Sequence, residues 1–357
     1  MEIAFCTDTN YVMPCGVAMT SICENNKEED ITFHLVITDE GTAPDEVEKK
    51  VSPLRDIAVK YGKIVEVYRM DAEKIKGFTC SGAGYISTTA FARIFLPEIL
   101  PDEVKKVIYL DCDVVCDGSL KDLWETELID DFPLGAIVDC YYAAPMHHKI
   151  SEIPQEVHYI NSGVLLMNLA SWRKYNYVEK VILVATEKRF PLLDQDTLNH
   201  VFSGKIKYLP VKFNVQTIFL MHGIENNHIS LDYYDEIKEA CDAPILIHYV
   251  TPNKPWKNEF CPLREIWEKY LKLTVWKDLK PSPVLTRFDR TYLNKEFQDT
   301  YWMDGLLFNE GLAPYLRFFR AAVRLKNKSR LVKISSSFLN GFAAFLEKVY
   351  SWKSNRK

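Results

Sequence analysis

The 357-residue sequence lacks the short signatures that mark several large classes of protein. It contains no CxxC pair, and its nine cysteines form no zinc-binding pattern. Free cysteines in an odd number are typical of a protein from a reducing compartment. No predicted strand is followed by GxGxxG, and there is no Walker-type GKS/T loop. A dinucleotide-binding dehydrogenase and a P-loop protein are therefore disfavoured.

Long apolar runs are also missing. None approaches the roughly 20 residues that a membrane-spanning helix requires. The first six residues lack the basic flank and the apolar core of a signal peptide. Hydrophobic residues make up 47% of the chain and charged residues 26%, which argues against a disordered chain. We therefore expect a globular protein of the cytoplasm.

Charge is unevenly distributed along the chain. Residues 313–357 hold eleven Lys and Arg but one acid, Glu347, so they carry +10, and the other 312 residues must carry −15 of the total of −5. Near the start of this tail, apolar side chains recur at helical spacing beside the basic face formed by Arg317, Arg320, Arg324 and Lys328. An acidic body with a basic tail disfavours binding of nucleic acid by the whole chain and indicates a separate anionic partner for the tail.

Short apolar strands alternate with amphipathic helices through the first half of the chain. Strands are predicted over residues 3–6, 31–38, 64–68, 107–110, 134–138 and 163–169, and helices over 14–23, 45–60, 88–96, 172–188 and 195–202. This alternation predicts an open, mostly parallel sheet covered by helices on both faces. Ligands of such sheets bind beyond the carboxyl ends of the strands.

The strongest local signal is Lys106-Val-Ile-Tyr-Leu-Asp-Cys-Asp-Val-Val115, in which a buried strand ends in two aspartates. At this spacing in an extended chain, the carboxylates of Asp111 and Asp113 point the same way. Like charges at one sheet edge repel each other unless a cation lies between them. Oxygen ligands favour Mg²⁺ or Mn²⁺, usually shared with the phosphates of a ligand. A pair of solvated turn aspartates is the alternative interpretation.

The same DxD pattern is typical of haloacid-dehalogenase phosphatases, where the first Asp is the nucleophile and the second the general acid. A second segment, His248-Tyr-Val-Thr-Pro-Asn-Lys-Pro-Trp256, bears on this choice. His248 ends a predicted strand, and a histidine completes a mixed oxygen and nitrogen sphere that favours Mn²⁺. Lys254 can meet a diphosphate as a point charge. Taken alone, His248 could equally be a satisfied core histidine.

Together these segments resemble family 8 of the retaining glycosyltransferases, over roughly residues 1–275. Besides the His248 segment, the likeness rests on five motifs in order: Ile3-Ala-Phe-Cys-Thr-Asp-Thr-Asn-Tyr11, Ser87-Thr-Thr-Ala-Phe-Ala-Arg93, Tyr109-Leu-Asp-Cys-Asp113, Asn161-Ser-Gly-Val-Leu-Leu166 and Leu193-Asp-Gln-Asp196. The resemblance implies an α/β fold: one Rossmann-like, GT-A type domain with a mixed, mostly parallel sheet over residues 1–280. A basic helical extension over residues 281–357 would follow it.

The resemblance also implies roles for individual positions. Its nucleotide-sugar site would comprise Thr7, Asp8, Asn10, Tyr11, Arg93, Asp111, Cys112, Asp139, Asn161, Ser162, Thr251 and Lys254. The metal ligands would be Asp111, Asp113 and His248, holding Mn²⁺ with Mg²⁺ as the alternative. The catalytic positions would be Gln195, Asp194 and Lys254.

The implied reaction transfers galactose or glucose from a UDP-sugar to a saccharide with retention, giving an α-linkage. Gln195 would lie nearest the anomeric carbon. Because a carboxamide is a poor nucleophile, we favour front-face attack through an oxocarbenium-like state, with Asp194 as the alternative nucleophile. Two positions depart from some relatives: Thr251 replaces a glycine beside the phosphates, and Ser162 replaces an alanine.

The resemblance also bears on the acceptor and on membrane binding. Bacterial members carry a basic, aromatic C-terminal extension that docks on membrane, and residues 313–357 match that habit. A solvated appendage or a protein-docking arm is the alternative. We expect an enzyme of the inner face of the plasma membrane, acting on a cell-surface glycan or lipopolysaccharide core. The acceptor pocket would involve residues 141–155, in which His147 and His148 are interpreted as a surface pair.

Overall fold

The computed structural model describes residues 1–38, 43–71, 74, 88–129, 132–139, 149–154, 156–188, 190–222, 233–250, 254–257 and 261–280. The chain divides into two units, Met1–Asn294 and Lys295–Lys357, and every described residue lies in the first. The helical extension predicted over residues 281–357 lies outside the described residues, as do Thr251 and most of the segment 141–155. Within the described part, no helix is long and apolar enough to cross a bilayer.

The main sheet has seven strands in the order β3-β2-β1-β4-β7-β6-β8. These strands are β1 (Glu2–Thr7), β2 (Thr32–Ile37), β3 (Ile64–Arg69), β4 (Lys106–Leu110), β6 (Leu134–Val138), β7 (Ile160–Asn168) and β8 (Ile206–Tyr208). β7 is antiparallel to both of its neighbours, and every other pair in this sheet is parallel. The predicted mixed, mostly parallel sheet is confirmed.

Helices cover both faces of this sheet, because its central strands are apolar on both sides. Along β1, Ile3 and Phe5 face one core cluster, whereas Ala4 and Cys6 face the other. The first core is covered by α1 (Val12–Asn25) and α2 (Pro44–Lys60). The second is covered by a 3₁₀ helix (Thr88–Phe95), α3 (Leu96–Ile99), α5 (Leu169–Lys174), α6 (Tyr177–Lys188) and α7 (Leu193–Val201).

A smaller second sheet lies against the first and has the order β5-β10-β9. Its strands are β5 (Val114–Cys116), β9 (Val215–Gln216) and β10 (Leu246–His248). β10 is antiparallel to β5 and parallel to β9. The remaining helices are α4 (Lys121–Glu125), a second 3₁₀ helix (Val211–Phe213), α8 (Ile218–His222), α9 (Tyr234–Asp242) and α10 (Arg264–Leu271). The chain passes from the main sheet to the small one between β4 and β5, so the two aspartates lie where the sheets meet.

The predicted elements are found with two differences of substance. β7 begins at Ile160, three residues earlier than predicted, and therefore includes Asn161. The helix predicted over residues 172–188 is two helices, α5 and α6, because Asn176 adopts a left-handed conformation with φ of 51° between them. Asparagine tolerates that conformation better than most residues.

Candidate active site

The candidate site lies at the carboxyl ends of the central strands. Asp111 follows β4 and Asp139 follows β6. Between these strands, β7 enters the sheet through a bulge: Ile137 pairs with Asn161, whereas its neighbour Ala136 pairs with Leu165. Extra residues in one strand of a pair re-aim its side chains. This bulge therefore presents residues 161–163 to the site.

The two aspartates occupy a turn, which corrects our expectation of an extended chain. The backbone N–H of Val114 donates to the Asp111 carbonyl at 3.1 Å, closing the link between β4 and β5. The Asp111 N–H is held by the Gly163 carbonyl at 2.8 Å, and the Tyr249 N–H donates to the Asp113 carbonyl at 3.0 Å. Backbone pairing on both sides thus directs the two carboxylates to one point, although not by strand alternation.

His248 completes a cluster with these carboxylates. Ligand atoms of Asp111, Asp113 and His248 all lie within 4.8 Å of one another. His248 is the last residue of β10, and its Nε2 lies 3.3 Å from Asp113 Oδ1 and 3.8 Å from Asp111 Oδ2. The His248 side chain is buried, as predicted for a core histidine, and it lies beside both carboxylates, as predicted for a metal ligand.

Lys254 faces Asp113 across the cluster. Its ammonium donates to Asp113 Oδ2 and to the Tyr249 carbonyl, and the residue is only 9% exposed. Burial alone would raise the pKa of Asp113, but the charge of Lys254 outweighs it and holds that pKa below its ordinary value. Asp113 is therefore ionised at neutral pH.

The residues present fit a divalent cation. Among the buried side-chain atoms of the described residues, Asp113 Oδ1 is one of three without a hydrogen-bond partner, and it faces His248 Nε2. Gly163 leaves the necessary room, because a Cβ there would lie 2.1 Å from His248 Cε1 and 2.8 Å from Asp111 Oδ2. Two carboxylates and an imidazole are a donor set that suits Mn²⁺.

Arg93 links the metal cluster to the rest of the site. Its guanidinium donates to Asp111 Oδ1 at 2.8 Å and to the Ser162 carbonyl, and it stacks 4.4 Å from the ring centroid of Tyr109. The Tyr109 hydroxyl donates to the same Asp111 oxygen at 2.6 Å. Burial disfavours the charge of Arg93, yet Asp111 and Asp194 together hold its pKa above the ordinary value.

Asp194 is buried beside Arg93. Its Oδ2 lies 3.2 Å from Arg93 Nε, but the Nε hydrogen is donated to the Ala90 carbonyl at 2.9 Å. The contact is therefore a charge pair without a hydrogen bond. Burial raises the pKa of Asp194 to about 6, the charge of Asp111 adds to the rise, and Arg93 opposes it.

Gln195 lies at the centre of a hydrogen-bond network. Its Oε1 accepts from the Ser162 N–H at 3.1 Å and from Asn161 Nδ2 at 3.2 Å. Its Nε2 donates to Asp139 Oδ2 at 2.9 Å and to the Tyr159 hydroxyl at 3.3 Å. The structure thus brings Gln195 together with three other predicted residues of the sugar site.

The predicted nucleotide residues form the turn after β1. Asp8 Oδ1 accepts from the backbone N–H groups of Asn10 at 2.7 Å and Tyr11 at 3.2 Å, so part of its carboxylate organises its own turn. Thr7 is buried, and its hydroxyl donates to the Asp8 carbonyl at 3.0 Å. The Tyr11 ring packs edge-on against Trp256 with centroids 6.0 Å apart.

Tyr11 lies near the metal cluster as well as the predicted base site. Burial raises the pKa of its phenol to about 12, and the charge of Asp113 adds to the rise. Cys112 is different, because its side chain is buried in the core and its Sγ lies 3.7 Å from the Cys6 carbonyl. Any contact between Cys112 and a nucleotide must therefore use its backbone.

Comparisons with known proteins decide the family. The model of "Glycosyl transferase family 8" matches residues 2–259. The chain belongs to glycosyltransferase family 8. The predicted GT-A type fold is supported by a solved structure of the galactosyltransferase LgtC in complex with donor and acceptor sugar analogs. That structure aligns with a TM-score of 0.65 and 27% identity, over 77% of this chain and 96% of LgtC.

Relatives of known sequence agree with this assignment. The lipopolysaccharide 1,2-glucosyltransferase of Escherichia coli is 30% identical over 263 residues, covering 71% of this chain and 73% of that enzyme. General stress protein A of Bacillus subtilis is 28% identical over 288 residues, covering 78% of this chain and 96% of its own. The family 8 match therefore includes both sheets and the candidate site, and α10 lies beyond its end at residue 259.

Several residues of this family 8 site were not predicted from the sequence. Asn214 contacts His248, the predicted metal ligand, and Asp196 accepts hydrogen bonds from Ser151 Oγ at 2.9 Å and the Tyr159 hydroxyl at 2.6 Å. Asp196 ends the motif Leu193-Asp-Gln-Asp196, so its position in the sequence already indicated that it lies near the site. Asn214 carries no such signal, because it lies far from every motif and reaches the site through β9.

Proposed function

We propose that the chain is a retaining hexosyltransferase that moves galactose or glucose from a UDP-sugar to a saccharide acceptor, with Mn²⁺ at the cluster of Asp111, Asp113 and His248. The observation that carries this proposal is the position of that cluster. It lies where the two sheets meet, and Arg93 joins it directly to the network around Gln195. One site therefore offers both a diphosphate-binding end and a sugar-binding end.

The three ligands would hold the metal between the sheets. A divalent cation there would neutralise the charge of the leaving diphosphate. Lys254, already within reach of Asp113, would contribute a second positive charge beside the same phosphates. Tyr11, packed against Trp256, would provide an aromatic face for the base, and Mg²⁺ is the alternative metal.

The network around Gln195 supports front-face attack. The three hydrogen bonds to Gln195 Oε1 come from Asn161 and Ser162 at the β7 bulge, so its only nucleophilic atom is occupied. Asp194, the alternative nucleophile, is buried and paired with Arg93, so bonding to the sugar would cost it this buried charge pair. Asp139, Asn161 and Gln195 would instead orient the sugar, while the leaving phosphate accepts the proton of the acceptor.

A DxD-type phosphatase is not supported by this geometry. Its mechanism would require Asp113 to act as a general acid, and a general acid needs a pKa near neutral pH. The pKa of Asp113 is instead held below its ordinary value by the charge of Lys254. Family 8 membership points the same way.

The acceptor is proposed to be a cell-surface glycan or lipopolysaccharide core sugar, as in the named activity of the E. coli relative. The basic residues of 313–357 would keep the enzyme on the inner face of the membrane and so bring its active site to a membrane-bound acceptor. Thr251 and residues 141–155 stay as proposed contributors to phosphate and acceptor binding.

The proposal is tested by following the slow hydrolysis of candidate UDP-hexoses by ¹H NMR in the presence of Mg²⁺. UDP-galactose, UDP-glucose and UDP-N-acetylglucosamine would be compared. Turnover of one of the two plain hexoses, with the α-anomer appearing before mutarotation, is the expected result. Release of the β-anomer first would contradict retention, and release of phosphate from simple monoesters would favour the phosphatase.

A further inference from the structure

Behind the metal cluster, a fully buried asparagine contacts the ring nitrogen of His248 that faces away from the carboxylates. Asn214 Oδ1 lies 3.1 Å from His248 Nδ1, and Asn214 Nδ2 lies 2.9 Å from Asn161 Oδ1. Asn214 immediately precedes β9, the strand that pairs with β10 beside His248. It therefore bridges the histidine of the small sheet and the bulged strand of the main sheet.

The direction of these hydrogen bonds is set by a backbone group. The N–H of Gly163 points at Asn161 Oδ1 at 3.0 Å, and a backbone N–H can only donate. The atom of Asn161 facing Gly163 must therefore be its oxygen. Because Asn214 faces that same oxygen, it must present its NH₂ group there and its own oxygen to His248.

The neighbouring backbone group gives the same orientation independently. The N–H of Ser162 donates to Gln195 Oε1, and that same oxygen faces Asn161 Nδ2. Asn161 must then donate to Gln195 and keep its oxygen toward Gly163. Two successive backbone donors of the bulge thus agree on the orientation of Asn161, and through it on that of Asn214.

The orientation of Asn214 determines the tautomer of His248. Facing an oxygen that can only accept, Nδ1 must carry the proton of the neutral ring. Nε2, which lies 3.3 Å from Asp113 Oδ1 and 3.8 Å from Asp111 Oδ2, is then left with its lone pair free for a metal.

We propose that Asn214 is a positioning residue that holds His248 in the Nδ1–H tautomer, so that Nε2 is ready to bind the metal. The proposal rests on the proposed function, because it presupposes a cation at the cluster. The hydrogen bonds also run on through Asn161 to Gln195, so the same chain connects the metal end of the site to the sugar end. Outer hydrogen bonds of this kind typically change metal affinity about 10- to 100-fold when removed.

The experiment uses the full-length chain and two readouts. Long-range ¹⁵N–¹H correlation spectra of metal-free protein labelled at its eight histidines, in weakly alkaline buffer, identify the protonated ring nitrogen, with His248→Gln providing the assignment. Titration of Mn²⁺ followed by electron paramagnetic resonance measures metal affinity without nucleotide. The variants are Asn214→Ala, Asn214→Asp, which keeps an acceptor for Nδ1–H, and Asn199→Ala.

Asn199→Ala is the matched control. Asn199 is equally buried and also holds β7, through the Ile160 backbone at 2.8 and 2.9 Å, but it has no hydrogen bond to His248. We expect the wild-type His248 to carry its proton on Nδ1. Asn214→Ala should mix the tautomers and weaken Mn²⁺ binding about 10- to 100-fold. Asn214→Asp loses the donor to Asn161 but keeps an acceptor for His248, so its His248 should still carry the proton on Nδ1. Asn199→Ala should bind Mn²⁺ within about threefold of the wild type, well below the loss typical of a removed outer hydrogen bond.

A proton on Nε2 in the wild type overturns the inference, as does an Asn214→Ala variant that binds Mn²⁺ like the wild type. Equal losses of Mn²⁺ affinity in Asn214→Ala and Asn199→Ala would show that Asn214 only stabilises the fold. A wild type that shows the Nδ1–H tautomer yet binds no Mn²⁺ would instead contradict the proposed metal site. The two failures are therefore distinguishable.

Discussion

At the residue scale, two positions of the site matter for opposite reasons, one for the absence of a side chain and one for a buried charge. Gly163 is the clearest case, because the imidazole of His248 fills the space that a Cβ would need. Asp194 is the opposite case, a carboxylate kept where burial disfavours its charge. Each leads to a prediction that a single substitution can test.

Gly163→Ala should raise the Mn²⁺ concentration that the enzyme requires, while the protein still folds. The added methyl would overlap His248 Cε1 at 2.1 Å, so the ring must move away from the carboxylates. We expect the Mn²⁺ concentration for half-maximal UDP release to rise at least about tenfold, the lower end of the effect of disturbing a ligand's orientation.

Gly135→Ala is the control for that substitution. Gly135 lies in β6 of the same sheet, and its added methyl would meet only the flexible ends of Leu209 and Leu128 at 3.1 to 3.3 Å. Its Mn²⁺ requirement should be that of the wild type. Equal Mn²⁺ requirements in the two glycine variants would show that Gly163 is not needed for the approach of His248.

Asp194→Asn should change how stability depends on pH. The pKa of Asp194 is raised from 3.8 to about 6 by burial, so between these pH values the folded protein binds more protons than the unfolded chain. Stability contributed by this group therefore falls as pH rises through that window, by roughly 3 kcal/mol. The Asn variant, which cannot ionise, should lack this fall.

Urea unfolding between pH 4 and pH 7 measures the effect as the difference in unfolding free energy between wild type and variant. The difference should shift in favour of the variant as pH rises. Asp102→Asn, at a side chain that is 89% exposed, serves as the control. A wild-type-minus-variant difference that stays constant over this range would contradict the account of Asp194.

At the scale of elements, the junctions between strands build the site. The link between β4 and β5 carries both aspartates, the end of β10 carries His248, and the bulge of β7 carries the backbone donors. Helix α7 adds Gln195, and its first turn is fastened by Asp196, which accepts from the Leu192 N–H at 2.8 Å and from Tyr159.

Tyr159→Phe should loosen α7 from β7. The lost hydroxyl donates to buried Asp196 and faces Gln195 Nε2, so its removal leaves Asp196 with one donor fewer. We expect a loss of about 1–3 kcal/mol in unfolding free energy, together with a lower kcat at unchanged Mn²⁺ affinity. Within the described residues, the Tyr208 hydroxyl hydrogen-bonds only to the backbone of His158. Tyr208→Phe should therefore keep the wild-type kcat. Equal kcat values in the two tyrosine variants would rule out a positioning role for Tyr159.

Much of the element order could be predicted because strands buried on both faces form short, continuous apolar runs in the sequence, as in β1, β2 and β4. The aspartate cluster and His248 could be predicted because they end such strands within recognisable motifs. The reversed direction of β7 could not, since a buried strand reads the same in either direction. Asn214 could not either, because its role depends on the pairing of β9 with β10, which joins residues far apart in sequence.

At the scale of the whole molecule, the uneven charge predicts a reversible association with anionic membrane. Replacing Arg317, Arg320, Arg324 and Lys328 by Gln in the full-length chain should remove roughly 1 kcal/mol of binding each. Co-sedimentation with phosphatidylglycerol-containing vesicles should fall sharply, while UDP release from soluble donor is unchanged. Neutral phosphatidylcholine vesicles are the control, and equal pelleting of both proteins with anionic vesicles would contradict the proposal.

The central claim is that Asp111, Asp113 and His248 hold a metal through which the enzyme binds its nucleotide. Calorimetric titration of UDP into the wild type and the Asp113→Asn variant, each with and without Mn²⁺, tests it most directly. The account predicts that Mn²⁺ strengthens UDP binding to the wild type by at least about tenfold and leaves the variant unaffected. UDP affinity that is independent of Mn²⁺ in the wild type, or equally enhanced in the variant, would contradict it.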